Sequence, residues 1–188
     1  MVRSKLAELK IEISHYLGIP YFTNTGKYKN SGENSLVGKG TAQEITLKTV
    51  EFSNNEKLHI INFSPQELYN FQKKYHLGID CSGLVSNLLN YYGTSLGIEI
   101  NLNPRRTSAD NLTSHPLAHQ TTDLKHLQTG DLVRQKNGQH VLFIIEIIGN
   151  IVYYVESSHS GRGVTNGHFS LEDKTFIYDG IYRLFLLD

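Results

Sequence analysis

The chain has 188 residues, of which 39% are hydrophobic and 10% are aromatic. This length and composition fit one globular domain with a buried core and exclude an intrinsically disordered chain. The 18 basic and 18 acidic side chains cancel, so no excess of positive charge indicates a nucleic-acid partner.

The sequence indicates neither secretion nor membrane insertion. Its first residues, MVRSKLAELK, carry charges throughout and lack the apolar segment of a secretory signal. The longest apolar run, VLFIIEII, is too short to span a bilayer, and a single cysteine cannot form an internal disulfide. We therefore expect a cytoplasmic protein without a transmembrane segment, while another export route and the oligomeric state stay open.

The first part of the chain is predicted to contain a helix, a loop and a hairpin. Apolar residues at helical spacing indicate a helix over residues 4–17. Residues 23–40 are rich in Asn, Gly, Lys and Ser, which predicts a long loop. Alternating apolar residues predict two strands, 45–52 and 57–63, joined by an Asn-Asn turn.

Two further helices have clear boundary signals. Ser64, Pro65 and Glu67 form a capping box with a proline in the first turn, and they begin a helix that extends to about residue 75. A second helix is predicted over residues 81–92, and Gly93 is expected to be its C-terminal cap.

The remainder of the chain changes from irregular to β structure. Residues 94–129 are polar, with one short helical turn predicted at 107–112. Strands are then predicted at residues 131–135, 140–148, 151–157, 163–171 and 181–187. A two-residue hairpin is typical of the sequence Gly149-Asn150. Helices followed by an antiparallel sheet indicate one α+β domain over residues 1–188.

The only cysteine lies in the segment GIDCSGLV, at the start of a predicted helix. A helix N-terminus carries partial positive charge and free N–H groups, which favour a thiolate and can hold an oxyanion. The polar neighbours Asp80 and Ser82 argue against an apolar pocket around the thiol. We therefore expect Cys81 to be an exposed nucleophile, and we expect Gly83 to keep the first turn open to a substrate.

A cysteine nucleophile requires a general base, and His140 is the best candidate among the nine histidines. It begins the most hydrophobic predicted strand, so that a buried strand would hold its imidazole rigidly. The sequence indicates neither a metal nor a cofactor. His115 and His119 have i,i+4 spacing, but Pro116 lies between them and no acidic ligand follows.

The segment GIDCSGLV resembles the cysteine motif of the NlpC/P60 peptidases, a papain-like family. Three other segments fit this family in the same order: LGIPYFTN at 17–24, PRRTSADN at 104–111 and LQTGDLVRQKNGQHVLFI at 127–144. The resemblance implies a papain-like α+β fold in which the nucleophile helix packs on the sheet. It also implies hydrolysis of amide bonds in peptidoglycan stem peptides, next to D-γ-glutamyl residues.

Carried over by position, the resemblance implies that Cys81 is the nucleophile and His140 the general base. The third catalytic position falls on Glu156, where the family usually has His, Asn or Gln. A carboxylate can still orient an imidazole and stabilise its charged form. Three positions match residues that line the family's substrate site and hold the free amine of a stem peptide: Tyr21, Asp80 and Ser82.

Strand pairing bears on the identity of the third residue. A plain two-residue turn at Gly149-Asn150 pairs positions that sum to 299, which places His159 opposite His140 and Glu156 on the other face. Glu156 shares a face with His140 only if the turn is odd in length or the strand bulges. The resemblance therefore favours Glu156, and regular geometry favours His159.

The chain departs from the family in two places. The Trp-Gly-Gly that follows the family's Pro-Tyr is missing, and about fifty residues, 26–77, are inserted before the cysteine. We expect this insertion to pack as an ordered subdomain beside the cleft and to restrict which substrates reach Cys81.

Three functions are compatible with these residues. The first is a cysteine-dependent hydrolase of amide bonds, whose partner is a peptide or a peptidoglycan fragment. The second is an acyl or peptidyl transferase on the same scaffold, in which an amine replaces water. The third is a non-catalytic interaction module, against which the joint presence of Cys81 and His140 counts.

Overall fold

The computed structural model describes residues 2–23, 36–121 and 124–188. Within them, five α-helices precede a six-stranded antiparallel sheet, which confirms the α+β class. The helices are α1 (Val2–Tyr16), α2 (Ala42–Asn55), α3 (Pro65–Lys74), α4 (Cys81–Leu96) and α5 (Ala109–Leu112). The strands are β1 (Ala118–Thr121), β2 (Leu132–Gln135), β3 (His140–Ile148), β4 (Ile151–Ser158), β5 (Gly163–Ser170) and β6 (Gly180–Leu184).

Helix α4 lies against the middle of the sheet. The strand order is β1-β6-β2-β3-β4-β5, and α4 packs on β3 and β4 while also contacting α1. Leu84 and Leu88 of α4 join Val141 and Phe143 of β3 in the larger of two apolar clusters. The residues of β3 that alternate with Val141 and Phe143 belong to the second apolar cluster, on the other face of the sheet. The sheet is therefore buried on both sides.

The strands predicted at 45–52 and 57–63 are wrong. The first of these segments lies within the helix α2, and a short 3₁₀ helix covers Ile60–Asn62. Helix α2 begins with a capping box, in which the Thr41 hydroxyl accepts the N–H of Glu44 and the Glu44 carboxylate accepts the N–H of Thr41. The Thr-x-x-Glu pattern that specifies this helix start is present in the sequence.

The buried face of α2 follows helical rather than strand spacing. Ile45, Thr49 and Ser53 recur every four residues and are buried, whereas Leu47 is 61% exposed. The alternation of apolar residues over 45–52 suggested a strand because it included an exposed leucine together with residues of the buried helix face. Helix packing of three residues one turn apart outweighed the strand preference of the β-branched side chains.

Other helix predictions hold, with changes at the ends. Helix α3 has both hydrogen bonds of the predicted Ser64–Glu67 capping box. Helix α4 passes through Gly93 and ends at the left-handed Gly97, with φ of 78°. Gly93 is needed inside the helix because a Cβ at that position would lie 2.6 Å from Cγ1 of Ile100.

The predicted β region is confirmed, with one strand missed. Each of the five predicted strands has a counterpart, but the last one ends at Leu184 and a short 3₁₀ helix covers Phe185–Leu187. The turn at Gly149-Asn150 joins β3 to β4. Strand β1 was not predicted because it has four residues and a polar sequence, AHQT. Most of the loop predicted at 23–40, namely residues 24–35, lies outside the described residues. In the described part of the chain, no helix is both long and apolar enough to cross a membrane.

Residues 18–22, here called the linking segment, join the sheet to the start of α4. On one side, its backbone exchanges two hydrogen bonds with Val164 of β5, at 3.1 and 2.9 Å. On the other side, it exchanges two with Ile79, at 3.0 and 3.3 Å. Ile79 is also held by the hydroxyl of Ser157 in β4, which donates to its carbonyl at 2.7 Å. The loop that precedes Cys81 is therefore fixed to two strands.

Because the linking segment packs closely against Gly163, we predict that a larger residue at this position strongly lowers the free energy of unfolding. A Cβ at this position would collide with the Ile19 carbonyl, and its φ of 133° is itself restricted to glycine. Gly149 also has positive φ, at 60°, but has open space around it. We expect Gly149→Ala to lower the free energy of unfolding by about 1–2 kcal/mol through backbone strain alone. Gly163→Ala should lower it by clearly more in urea denaturation, and equal losses would contradict the packing described here.

Candidate active site

Cys81 is the first residue of α4, and Asp80 is its N-cap. The Asp80 carboxylate accepts the N–H of Gly83 at 2.7 Å. The N–H groups of Cys81 and Ser82 donate to no described residue, as is usual in the first turn of a helix. These two amides are available at the thiol, which is the arrangement that an oxyanion requires.

The expected exposure of the cysteine is wrong. Cys81 has only 7% of its surface exposed and belongs to the larger apolar cluster. Cys81 is nevertheless part of the wall of a cavity. The side chain is consequently a largely covered thiol at the edge of the core that borders open space.

His140 lies beside this thiol, although 58 residues separate the two in sequence. The Cys81 side chain is close enough to His140 to raise the pKa of the imidazole, and the thiol lies 4.0 Å from the Gln139 carbonyl oxygen. Burial lowers the pKa of His140, but the hydrogen bonds to Cys81 and Glu156 and the negative charge of both groups outweigh this effect. Together they raise the pKa of His140 from 6.5 to about 9. The site therefore favours an imidazolium between two acidic groups.

Glu156 is the residue that holds the imidazole. Its Oε2 atom lies 2.6 Å from Nε2 of His140. Because Nε2 faces the carboxylate, Nδ1 is the nitrogen left for an interaction with Cys81. The imidazole is thus hydrogen-bonded to the carboxylate and has the thiol as its other acidic neighbour.

A β-bulge brings His140 and Glu156 to the same face. Next to the turn, paired positions sum to 299, as in Ile148 with Ile151. Beyond Ile145 they sum to 298, as in Phe143 with Val155. Ile145 is the extra residue, and the shift places Glu156 on the face of His140. The regular pairing that favoured His159 is therefore wrong.

His159 lies elsewhere. It is exposed at the end of β4, and its ring makes an edge contact with Tyr21 at a centroid distance of 6.2 Å. It lines a separate cavity of about 440 Å³ with residues of α3, beside the linking segment. The structure pairs the imidazole of His140 with Glu156 instead.

The predicted substrate-binding residues line one cavity next to the thiol. This cavity has a volume of about 490 Å³, and Tyr21, Asp80, Cys81 and Ser82 all form part of its wall. Burial raises the pKa of the Tyr21 phenol, and the charges of Cys81 and Asp80 raise it further. All six predicted site residues are therefore gathered at or directly behind this cavity.

Lys39 also lies in this cavity and was not predicted. Its ammonium donates to Oδ1 of Asp80 at 2.8 Å, to the Ser82 hydroxyl at 2.5 Å and to the Thr107 carbonyl at 3.3 Å. The side chain is only 13% exposed. The sequence signal was the pair of glycines around it, Gly-Lys-Gly, which permits a sharp turn close to other backbone.

The same turn corrects the expected role of Gly83. The space beside Gly83 is filled by the Gly38 carbonyl and the Lys39 side chain, and a Cβ at Gly83 would lie 2.5 Å from that carbonyl oxygen. The backbone N–H of Asp80 also donates to the Gly38 carbonyl, at 2.9 Å. Gly83 therefore permits the approach of the loop that carries Lys39, and not the approach of a substrate.

Arg105 and Arg106 also line this cavity, and no role was predicted for them from the sequence. They come from a 3₁₀ helix over Pro104–Arg106, opposite the start of α4. Across the described ranges, no group of three His, Cys, Asp or Glu side chains is arranged to hold a metal ion. The cavity therefore combines a thiol with three cationic side chains.

Comparison of the chain with protein-family models, with curated proteins and with solved structures finds no match.

Titration of His140 would test its hydrogen bond to Glu156 directly. We expect its imidazole to titrate near pH 9 in nuclear magnetic resonance spectra of the folded protein. Glu156→Gln should lower this pKa, because it removes a negative charge and a hydrogen bond that favour the imidazolium. His159→Ala is the matched control and should leave it unchanged. An equal effect of the two substitutions would contradict the assignment of Glu156.

Proposed function

We propose that this protein is a cysteine-dependent hydrolase of amide bonds with a papain-like fold. The observation that carries the proposal is the grouping of Cys81 at a helix N-terminus, beside a cavity, with an imidazole that is itself hydrogen-bonded to Glu156. A buried structural cysteine does not need an imidazole held against it by a carboxylate. The resemblance to NlpC/P60 peptidases in the Cys81 and His140 segments supports the same chemistry.

The first half of the proposed reaction forms an acyl-enzyme. The sulfur of Cys81 attacks the amide carbonyl carbon, and the carbonyl electrons move onto oxygen. The free N–H groups of Cys81 and Ser82 stabilise this oxyanion. When the tetrahedral intermediate collapses, the C–N bond breaks and His140 gives its proton to the leaving amine. A thioester on Cys81 remains.

The second half releases the acid. Acylation replaces the thiol group of Cys81, whose interactions with His140 are among the contributions that raise the pKa of the imidazole. The pKa of His140 therefore falls in the acyl-enzyme, and the neutral imidazole can take a proton from water. The resulting hydroxide attacks the thioester, the C–S bond breaks, and His140 returns the site to its starting state. Glu156 keeps Nε2 engaged throughout.

We propose peptides of the bacterial cell wall as the substrate class. This part rests on the resemblance of four segments in their order along the chain, since D-γ-glutamyl stem peptides are the substrates of that family. The open cavity of about 490 Å³ is large enough for a short peptide segment. Transfer to an amine acceptor would use the same acyl-enzyme, so the product must decide between hydrolysis and transfer.

Mass spectrometry of purified muropeptides incubated with the protein would test this proposal. We expect fragments in which one amide bond has been replaced by an acid and an amine. Cys81→Ala should abolish their formation, and His140→Ala should lower the rate by about 10²–10⁴-fold because it removes the general acid. Products joined to a second amine would indicate a transferase. Unchanged muropeptides with the wild-type protein would favour the interaction module.

The dependence of activity on pH would test the role of Glu156 separately. If protonated His140 is the acid in the free enzyme, kcat/KM should fall on the alkaline side near pH 9. Glu156→Gln should move this alkaline limb to lower pH, since the imidazolium loses its carboxylate partner. A substitution that only disturbed packing would lower kcat/KM without moving the limb.

A further inference from the structure

The Lys39 ammonium has a complete set of hydrogen-bond acceptors in the cavity. An ammonium group has three N–H donors, and Lys39 directs them to three oxygens, those of Asp80, Ser82 and Thr107. The ion pair with Asp80 is covered, with side-chain exposures of 13% and 10%. Three acceptors of this corner, including Oδ1 of Asp80, are therefore already engaged by a cation of the chain itself.

Because Lys39 already contacts Asp80 and Ser82, these two residues are less able to bind the amine of a substrate. A free amine of a substrate would need the same oxygens, and it would have to displace the Lys39 ammonium into a cavity that also contains two arginines. Asp80 has no spare capacity on Oδ1, because this atom accepts from Gly83, Lys39 and Ser82. Removing one partner of a covered ion pair is strongly unfavourable. Oδ2 is the Asp80 oxygen to which no described residue donates, so a second cation would have to share this carboxylate with Lys39.

Arg105 and Arg106 provide a binding site for an anion instead of a cation. Both are exposed, both line the cavity, and neither side chain forms an ion pair or a hydrogen bond with a described residue. By contrast, Arg134 and Arg183 are paired with Asp110 and Asp131, at 2.8 and 2.7 Å. The guanidinium group is well suited to bind a carboxylate through two parallel hydrogen bonds.

The net positive charge of the cavity wall also favours a ligand with a carboxylate group. Its wall includes three cationic side chains and one carboxylate, and that carboxylate is neutralised by Lys39. Two positive charges are left at the mouth, next to the thiol. A concave site of one sign attracts ligands of the other sign and raises their local concentration.

We propose that Lys39 permanently fills the ammonium site of this cleft, and that the cleft takes a substrate whose N-terminal end carries a carboxylate, bound by Arg105 and Arg106, instead of a free amine. The substrate class is therefore an N-acylated, acidic peptide. This inference rests on the proposed function for its use in catalysis, but the binding preference itself can be measured without turnover.

Equilibrium binding to the full-length Cys81→Ala variant, followed by calorimetry, would test the proposal. The probes are two forms of one short peptide that contains a D-γ-glutamyl residue, one with a free N-terminal amine and one with a succinylated N-terminus. We expect the succinylated form to bind about tenfold more tightly or better, which corresponds to roughly 1.4 kcal/mol. Because exposed arginines provide the preference, it should weaken as the salt concentration rises.

Substitutions in the same background identify the groups responsible. Arg105→Ala combined with Arg106→Ala should remove the preference, and both positions are exposed, so the fold should tolerate the change. Lys174→Ala removes an exposed cation outside the cavity wall and should retain the preference. Lys39→Ala should increase binding of the free-amine form, provided that thermal unfolding confirms a folded protein.

The outcomes separate this inference from the proposed function. Tighter binding of the free-amine form, equal binding of both forms, a preference that survives loss of both arginines, or binding of neither form would overturn the inference. Hydrolysis of the free-amine peptide in preference by the wild-type protein would support the proposed function and overturn the inference. The expected binding preference without any hydrolysis would support the inference and overturn the proposed function.

Discussion

The Asp80 carboxylate is the group on which the geometry of the site depends. A single oxygen of it accepts from the Gly83 amide, the Ser82 hydroxyl and the Lys39 ammonium. The first contact starts α4 and so places Cys81 at the helix N-terminus, while the third fixes the loop before α2. A covered carboxylate that caps a helix and balances a cation is stable only with all its partners in place. One side chain, Asp80, thus determines the position of the thiol, the position of the loop in the cavity wall and the neutralisation of charge deep in the cleft.

Local signals in the sequence were sufficient for much of this arrangement. The cysteine after Asp80, the histidine at the head of an apolar strand and the capping box at Ser64 each specify structure through nearby atoms, and each is present. The failure at residues 45–52 had a different origin. There a strand-like alternation competed with a capping box at Thr41, and the burial of one helix face decided the outcome. Such burial depends on tertiary packing, which a short window of sequence does not contain.

The partner of His140 could not be fixed in the same way. Strand β3 is apolar on both faces over residues 141–145, so its sequence has no alternation that reveals the register. Both pairings bury the same kinds of side chain, and only the bulge at Ile145 separates them. Lys39 escaped prediction for a related reason: its partners lie 41 or more residues away, in segments that meet only after folding. Long-range contacts of polar groups leave little trace in local sequence.

The linking segment has a consequence for the behaviour of the protein in concentrated solution. Strand β5 is the last strand of the sheet, and an open edge strand can recruit the edge of another molecule. Residues 18 and 19 occupy the outer backbone groups of Val164, so the end of β5 nearest the cleft is already paired. At the opposite edge, β1 offers only four residues. The segment that positions Tyr21 therefore also closes one end of the β5 edge to pairing with another molecule.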